Sequence, residues 1–169
     1  MYFAVDRAYS FKAETHHIYD SSLRRLIYQC IMRFQSMTLI ACGPDGTGKT
    51  FSLFDNYYSA SAIAMQGFLT KKKSVFVKTI YKDPKNPSNN KSPPCEVEIT
   101  SLQTFHNFLH QMKYDKVQGQ DILMQIRYGC KKHQDHDHNM YLNFVKLSGY
   151  QFNNEYEILT KAQSLIPDQ

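Results

Sequence analysis

The chain has 169 residues, of which 42% are hydrophobic and 14% aromatic, so it can bury one sizeable core and we expect a single domain over residues 1–169. Its 20 lysines and arginines exceed its 15 aspartates and glutamates, and the formal net charge of +5 favours acidic partners only mildly, whether nucleotides, acidic protein surfaces or nucleic acid. No apolar run approaches the roughly 18 residues that a membrane helix needs, and the N-terminus has no basic stretch before an apolar segment. We therefore expect a soluble, cytoplasmic protein with no membrane partner, and the four widely spaced cysteines favour reduced thiols.

The first part of the chain alternates between strand and helix patterns. Residues 2–6 are a strand candidate, and apolar residues then recur with a period of about 3.6, which predicts one amphipathic helix over residues 15–34 with Leu26 on its apolar face. Residues 37–42 are nearly all apolar, as expected for a central parallel strand that is covered on both faces. Residues 51–65 are compatible with a helix.

The remainder of the chain continues the alternation. Residues 83–95 are rich in proline, asparagine and lysine and predict an exposed loop, and residues 101–112 predict a helix with one apolar face. Residues 131–139 form a polar, histidine- and aspartate-rich loop. Four further strand candidates are residues 74–81, 96–99, 122–128 and 141–145. The pattern predicts an α/β fold with a largely parallel or mixed central sheet flanked by helices.

A glycine-rich octet follows the apolar strand candidate at residues 37–42. Residues 43–50 read G-P-D-G-T-G-K-T and match a complete G-x-x-x-x-G-K-[ST] phosphate loop. Its glycines let backbone N–H groups turn towards the α and β phosphates, Lys49 reaches the outer phosphates, and the Thr50 hydroxyl can ligate Mg²⁺. The predicted nucleotide-binding residues are Gly43, Asp45, Gly46, Thr47, Gly48, Lys49, Thr50 and Phe51.

Each of these features also has a structural interpretation. The octet is also compatible with a glycine-rich turn of another kind, or with a helix N-terminus in a protein that binds no nucleotide. Phe51 is compatible with a place in the core as well as with stacking on an adenine. The run from Cys130 to His138 carries imidazoles and a thiol at the short spacing of a zinc site, but a solvated hairpin loop explains it as well. Residues 71–73, three lysines, suit a solvated turn or a contact with an acidic partner.

Five segments, taken in order, resemble the kinesin motor domain: residues 2–9, 15–20, 38–53, 74–81 and 142–151. The resemblance implies a phosphate-loop NTPase fold with a mixed central sheet, incomplete relative to a full motor domain because the match covers only the middle of one. It also implies ATP and Mg²⁺ as cofactors, microtubules or tubulin or a kinesin-type protein as partners, no nucleic acid, and a place on the cytoskeleton.

The segment that resembles the family's switch II departs from it at two positions. The family's aspartate, which holds the Mg²⁺-bound water, corresponds to Lys146, and its glutamate corresponds to Gln151, whereas the phosphate-sensing glycine is retained as Gly149. The resemblance thus leaves Lys49 and Gly149 as the candidate catalytic residues. Two cations about 4 Å apart would repel each other by about 4 kcal/mol at an effective dielectric constant near 20. Lys146 therefore either disturbs the binding of Mg²⁺, or neutralises phosphate charge in place of the metal, or points into solvent from a rearranged loop.

Other parts of the family pattern are missing. The segment that should supply the switch I serines and arginine corresponds to residues 117–121, which carry neither. Counterparts of the family's adenine platform and microtubule-binding elements are also not recognisable. We therefore expect an ATP-binding, kinesin-like protein whose hydrolysis and motility are impaired. The alternative is a non-catalytic pseudo-motor that acts as a protein-binding or structural module without nucleotide.

Overall fold

A five-stranded mixed sheet with the strand order β1-β5-β4-β2-β3 forms the centre of the computed structural model. The structure describes residues 7–10, 12–33, 35–55, 59–71, 75–82, 96–114, 119–130, 138–149 and 154–166. In chain order the elements are α1 (Thr15–Ile18), a π-helical segment (Tyr19–Leu23), α2 (Arg24–Arg33), β1 (Met37–Ala41), α3 (Lys49–Phe54), α4 (Ala60–Thr70), β2 (Val75–Lys82), β3 (Val97–Ile99), α5 (Leu102–Tyr114), β4 (Asp121–Cys130), β5 (His138–Lys146) and α6 (Glu155–Gln163). Within these ranges, no helix has the length and apolar character needed to cross a membrane.

The pairing of the strands confirms the mixed sheet and corrects one detail of it. β1 runs parallel to β5, with Met37 beside Leu142 and Ala41 beside Lys146, whereas the β4–β5, β2–β4 and β2–β3 pairs are antiparallel. The prediction that β1 is a central strand covered on both faces is wrong for the part of the chain that the structure describes. There β1 is the end strand of the sheet, and four of its five residues are only half-buried.

Two apolar layers cover the sheet, one on each face. Because successive side chains of a strand point to opposite faces, β4 and β5 contribute to both layers. The larger layer packs α2, α4 and α5 against residues such as Phe144 and Tyr128 of the sheet, and Phe68 of α4 lies with its ring centroid 4.7 Å from that of Tyr128. The smaller layer, on the opposite face, consists of Leu123, Val145, Leu147, Ala162 and Leu165.

The helices agree with the sequence patterns in part. Residues 15–33 form the predicted helical segment, interrupted by one π-helical turn, but Leu26 is 48% exposed rather than buried. The single helix predicted over residues 51–65 is wrong. α3 ends at Phe54, and α4 begins anew after Ser59, whose hydroxyl accepts a hydrogen bond from the N–H of Ala62 at 3.4 Å. Such a side-chain cap satisfies a backbone donor that has no partner within the helix.

α6 was not predicted from the sequence. Asn154 caps it by accepting a hydrogen bond from the N–H of Glu157 at 3.0 Å, and the helix places Ala162 in the smaller apolar layer. The predicted strands at residues 74–81, 96–99, 122–128 and 141–145 and the helix at 101–112 are confirmed within two or three residues. The expectations for residues 2–6, 83–95 and most of the polar loop predicted at 131–139 lie outside the described residues, but residues 138 and 139 belong to β5 rather than to a loop. Cys30 and Cys42 are free thiols, in agreement with the prediction.

Candidate functional site

The phosphate loop connects the C-terminal end of β1 to the start of α3. Gly46 and Gly48 have φ angles of 80° and 81°, in the left-handed region that glycine adopts without strain. A Cβ atom built on either glycine meets no heavy atom within 4 Å, so the loop is bounded by open space at both positions. Left-handed glycines allow a loop to turn backbone N–H groups towards a bound anion, which is the property on which the predicted phosphate site depends.

Lys49 lies buried at the end of this loop, with 8% of its surface exposed. Its Nζ donates hydrogen bonds to the carbonyl oxygens of Gly43 at 2.8 Å and Pro44 at 2.5 Å, and it lies 3.7 Å from Asp45 Oδ1. The Thr47 hydroxyl donates to the Pro44 carbonyl at 2.9 Å. The lysine ammonium is therefore bound by oxygen atoms of its own loop.

The two residues that follow Lys49 differ in exposure. Thr50, the predicted Mg²⁺ ligand, is half-buried in the first turn of α3. Phe51 is 49% exposed, so the interpretation that places it in the core is wrong. Its exposed ring leaves stacking on a base as a prediction that only a ligand can test.

Lys146 stands at the end of β5, beside the point where β1 gives way to the phosphate loop. The parallel register pairs it with Ala41, only 5% of it is exposed, and its Nζ donates to the Gln120 carbonyl at 3.1 Å. Burial lowers the pKa of its ammonium, the positive charge of Lys49 lowers it further, and the carboxylates of Asp45 and Asp121 oppose this. The alternative that Lys146 points into solvent is wrong, because only 5% of the residue is exposed and its Nζ is bonded to a backbone carbonyl.

Asp121, at the start of β4, is a buried charge that the sequence patterns did not single out. It is fully buried; its Oδ1 accepts a hydrogen bond from the Ser148 N–H at 2.8 Å, and its Oδ2 lies 3.5 Å from Lys161 Nζ of α6. Burial raises the pKa of this carboxyl, and the Ser148 N–H and the charges of Lys161 and Lys146 partly offset the rise. The only sequence signal was an acidic residue directly before an apolar strand, which is common and has no preferred meaning.

Gly149, which follows the end of β5, lies against the phosphate loop. Its φ angle is 58°, and a Cβ atom at this position would lie 2.8 Å from Asp45 Oδ2. Any other residue would therefore meet backbone strain, and it would also displace the exposed Asp45 carboxylate. The structure thus brings Lys49, Lys146 and Gly149 to one end of the sheet, whereas Gln151 lies outside the described residues.

Two lysine cations and one carboxylate are buried at this end of the sheet. Mg²⁺ requires oxygen ligands in near-octahedral geometry. The described residues contain no cluster of three or more histidine, cysteine, aspartate or glutamate side chains that could hold a metal. Oδ1 of Asp121 accepts a hydrogen bond from the Ser148 N–H, whereas its buried Oδ2 lies 3.5 Å from Lys161 Nζ without a hydrogen-bond partner among the described residues. The buried charge at the end of β5 is the cation of Lys146.

No protein-family model and no curated protein sequence matches the chain. Solved kinesin motor domains do match its structure. The Drosophila kinesin family member NOD in complex with manganese and ADP superposes with a TM-score of 0.70 at 16% identity, covering 89% of this chain and 60% of NOD. NOD in complex with AMPPNP gives 0.69 at 16% identity, covering 92% and 61%. The motor domain of Kar3 from Candida glabrata gives 0.63 at 15% identity, covering 87% and 59%.

These comparisons establish the fold. The chain has the mixed α/β fold of the kinesin motor domain, a phosphate-loop NTPase fold, and it spans about 60% of the length of the motor domains that it matches.

Proposed function

We propose that the chain is a kinesin-like protein that binds ATP at its phosphate loop and in which hydrolysis and motility are impaired. The observation that carries the proposal is the geometry of residues 43–50, where two left-handed glycines precede a buried lysine directly after β1. Two of the solved neighbours carry an adenine nucleotide or its analogue, which supports the same ligand here. Lys49, Thr50 and the loop glycines would hold the phosphates.

The impairment follows from the electrostatics of Lys146. Phosphoryl transfer depends on positioning and on metal ions that neutralise the charge that develops on the phosphates. The cation of Lys146 lies where the kinesin pattern has an aspartate for the metal-bound water, and it opposes the entry of a divalent ion. We therefore expect very slow release of phosphate from ATP, and a faster rate in a Lys146→Asp variant with Mg²⁺.

One observation favours the alternative, a pseudo-motor that works without nucleotide. Lys49 already has two carbonyl acceptors and a carboxylate neighbour within its own loop. A nucleotide must replace these contacts before it gains any affinity from the lysine, because a buried ammonium without acceptors is strongly unfavourable. In that case the loop would only shape the end of the sheet.

Titration of the purified protein with mant-ATP, a fluorescent ATP analogue, distinguishes the two functions. We expect saturable binding by the wild type. The dissociation constant of a Lys49→Ala variant should be at least about 100-fold higher, equivalent to a loss of about 2.7 kcal/mol of binding free energy. Lys71→Ala, at an exposed lysine that follows α4, is the matched control and should bind like the wild type. Absence of binding in the wild type, or equal binding in Lys49→Ala, would reject the nucleotide function.

The proposed partners are microtubules or another protein of the kinesin type. The solved neighbours are motor domains. Because the proposed impairment affects the nucleotide cycle, we expect any co-sedimentation with polymerised tubulin to be weak or independent of the nucleotide. Strong co-sedimentation that depends on the nucleotide would instead support a working motor and contradict the proposed impairment.

A further inference from the structure

We propose that α2 of one copy of this chain docks against α6 of a second copy, so that copies associate head to tail. The inference goes beyond the proposed function and does not depend on it, because no residue of the phosphate loop carries it. It rests on two exposed apolar rows of opposite charge, which lie on helices at opposite faces of the sheet.

Large exposed hydrophobic side chains are concentrated on these two helices. In the part of the chain that the structure describes, seven such side chains are exposed, and four of them form two short rows: Tyr28 and Met32 on α2, and Tyr156 and Leu159 on α6. Tyr156 is 76% exposed and Tyr28 is 56% exposed. Single exposed apolar residues are common, whereas contiguous ones are typical of surfaces that bind another protein.

The row on α2 carries positive charge. Residues three, four or seven positions apart lie on one side of a helix, so the exposed Arg25 extends the row of Tyr28 and Met32. α2 contains three arginines and no acidic residue, and Arg25 forms no ion pair with any of the described residues. We call Arg25, Tyr28 and Met32 the α2 patch.

The row on α6 carries negative charge. Glu155 is exposed, precedes Tyr156 and lies one turn before Leu159 on the same side of the helix. The basic residue of α6, Lys161, does not offset this charge, because its Nζ lies 3.5 Å from the buried Asp121 carboxylate. We call Glu155, Tyr156 and Leu159 the α6 patch.

The two patches match each other, but the sheet separates them within one chain. Ile31 of α2 is buried in the larger apolar layer, and Ala162 of α6 is buried in the smaller layer on the opposite face. In a contact between copies, the positive α2 patch meets the negative α6 patch, and both apolar rows leave water. A second copy therefore supplies the complementary surface for each helix, and we infer that it is the occupant.

This contact joins two different surfaces. Because the patches lie on opposite faces of the sheet, a copy that covers one of them leaves the other accessible to a third copy, and association continues into a chain or a ring. Each helix is only about 15 Å long, so the contact is small. We therefore expect weak association, with a dissociation constant of about 10–100 µM.

Sedimentation velocity of the full chain at concentrations of about 5–200 µM, which bracket this dissociation constant, is the direct test. The average mass should rise with concentration and exceed that of a dimer at the upper end. A monomer over the whole range, or a dimer that does not grow further, would overturn the inference.

Variants of each patch identify the surfaces. Tyr28→Gln with Met32→Gln removes the apolar row of the α2 patch, and Tyr156→Gln with Leu159→Gln removes that of the α6 patch. Each variant alone should associate at least about tenfold more weakly than the wild type. A mixture of the two should form a one-to-one dimer and nothing larger, because each variant keeps one intact patch. Undiminished association of either variant alone, or no dimer in the mixture, would overturn the inference.

Leu26→Gln is the matched control, since it changes a similarly exposed side chain on another side of α2 and should leave the association unchanged. Arg25→Glu should weaken the association by about threefold or more, because it places a like charge opposite the α6 patch. Equal weakening by the control, or none by Arg25→Glu, would overturn the inference. Thermal unfolding shows whether each variant is folded. If the α6 variant does not fold, the α2 variant and its control decide the question.

Discussion

The two ends of the sheet are both tied to neighbouring segments by buried polar groups, but they differ in charge. At the end far from the phosphate loop, which we call the Tyr128 end, the Tyr128 hydroxyl donates to the Cys30 carbonyl at 2.9 Å, and the Cys30 thiol donates to the Gln35 carbonyl at 2.7 Å. Burial raises the pKa values of both Tyr128 and Cys30, so both groups stay neutral near pH 7. The buried polar groups of this junction between α2 and β4 are therefore neutral, and the ion pair of Arg127 and Glu96 beside it is only partly buried.

The phosphate-loop end, formed by Lys49, Lys146 and Asp121, instead concentrates charge. All three residues are less than 10% exposed. Burial of a neutral group that keeps its hydrogen bonds changes the free energy of folding little, whereas burial of a charge is unfavourable unless the charge is strongly paired. We therefore expect the loss of Tyr128 to destabilise the protein and the loss of Lys146 to stabilise it.

The largest effect is expected at the Tyr128 end. Tyr128→Ala should lower the free energy of unfolding by about 3–5 kcal/mol, because it leaves a cavity beside Phe68 and removes the hydroxyl from its buried partners. Denaturant titration measures the change. Tyr128→Phe is the control that separates packing from hydrogen bonding, and it should lose only about 1 kcal/mol. Equal losses in the two variants would show that the hydroxyl, rather than the ring, holds this end together.

A smaller loss is expected where a charge loses its partner. Lys161→Met should lower the free energy of unfolding by about 1–2 kcal/mol, since it leaves the Asp121 carboxylate buried without its ion partner, and the partial exposure of Lys161 limits the effect. In an Asp121→Asn background, Lys161→Met should lower the free energy of unfolding by less than half as much. A double-mutant cycle measures the difference, and additive losses would mean that the pair is not coupled.

Removal of Lys146 should have the opposite sign. Lys146→Met is expected to raise the free energy of unfolding of the ligand-free protein by about 1 kcal/mol, because a buried cation near Lys49 is replaced by an apolar side chain of similar length. Destabilisation by more than about 1 kcal/mol would instead assign Lys146 a structural role and remove the contrast between the two ends.

The stabilisation that we expect from Lys146→Met should decrease as the pH rises. The pKa of Lys146 is lowered in the folded protein, so the folded state binds fewer protons than the unfolded chain between the lowered pKa and the ordinary value of 10.5. The wild-type free energy of unfolding should therefore gain a rising contribution from Lys146 across that alkaline window. Lys146→Met should lose that contribution, so the advantage of the variant should shrink as the pH approaches 10.5. Denaturant titrations of both proteins at several alkaline pH values measure it.

The smallest effect on stability is expected at the exposed ring of Phe51. Phe51→Ala should change the free energy of unfolding by less than about 0.5 kcal/mol, as for most exposed positions. If its ring stacks on the base, mant-ATP affinity should fall by about fivefold or more, equivalent to about 1 kcal/mol. The fully buried Phe54 of the same helix is the control, since Phe54→Ala should lose about 3–5 kcal/mol of stability.

The sequence predicted the strands well because their apolar patterns are strong and local. It did not predict the break between α3 and α4, because both segments have helix-compatible residues and the break depends on the Ser59 cap. It also missed α6, whose apolar residues are few and find their partners only in the smaller layer on the sheet. The sequence also failed to predict the exposure of Leu26, because the spacing of apolar residues in a helix indicates the direction of the buried face but not its width.

The phosphate loop and the kinesin-motor-like fold were determined by the sequence itself, since an octet of consecutive residues and the order of its flanking elements carry that information locally. The meaning of Lys146 was decided only by the tertiary structure. The parallel register of β1 and β5 places a residue 97 positions beyond Lys49 beside the start of the phosphate loop, and the fold buries it. Register, burial and the distances between charges depend on which strands become neighbours, and they determine whether a lysine is a solvated side chain or a buried charge.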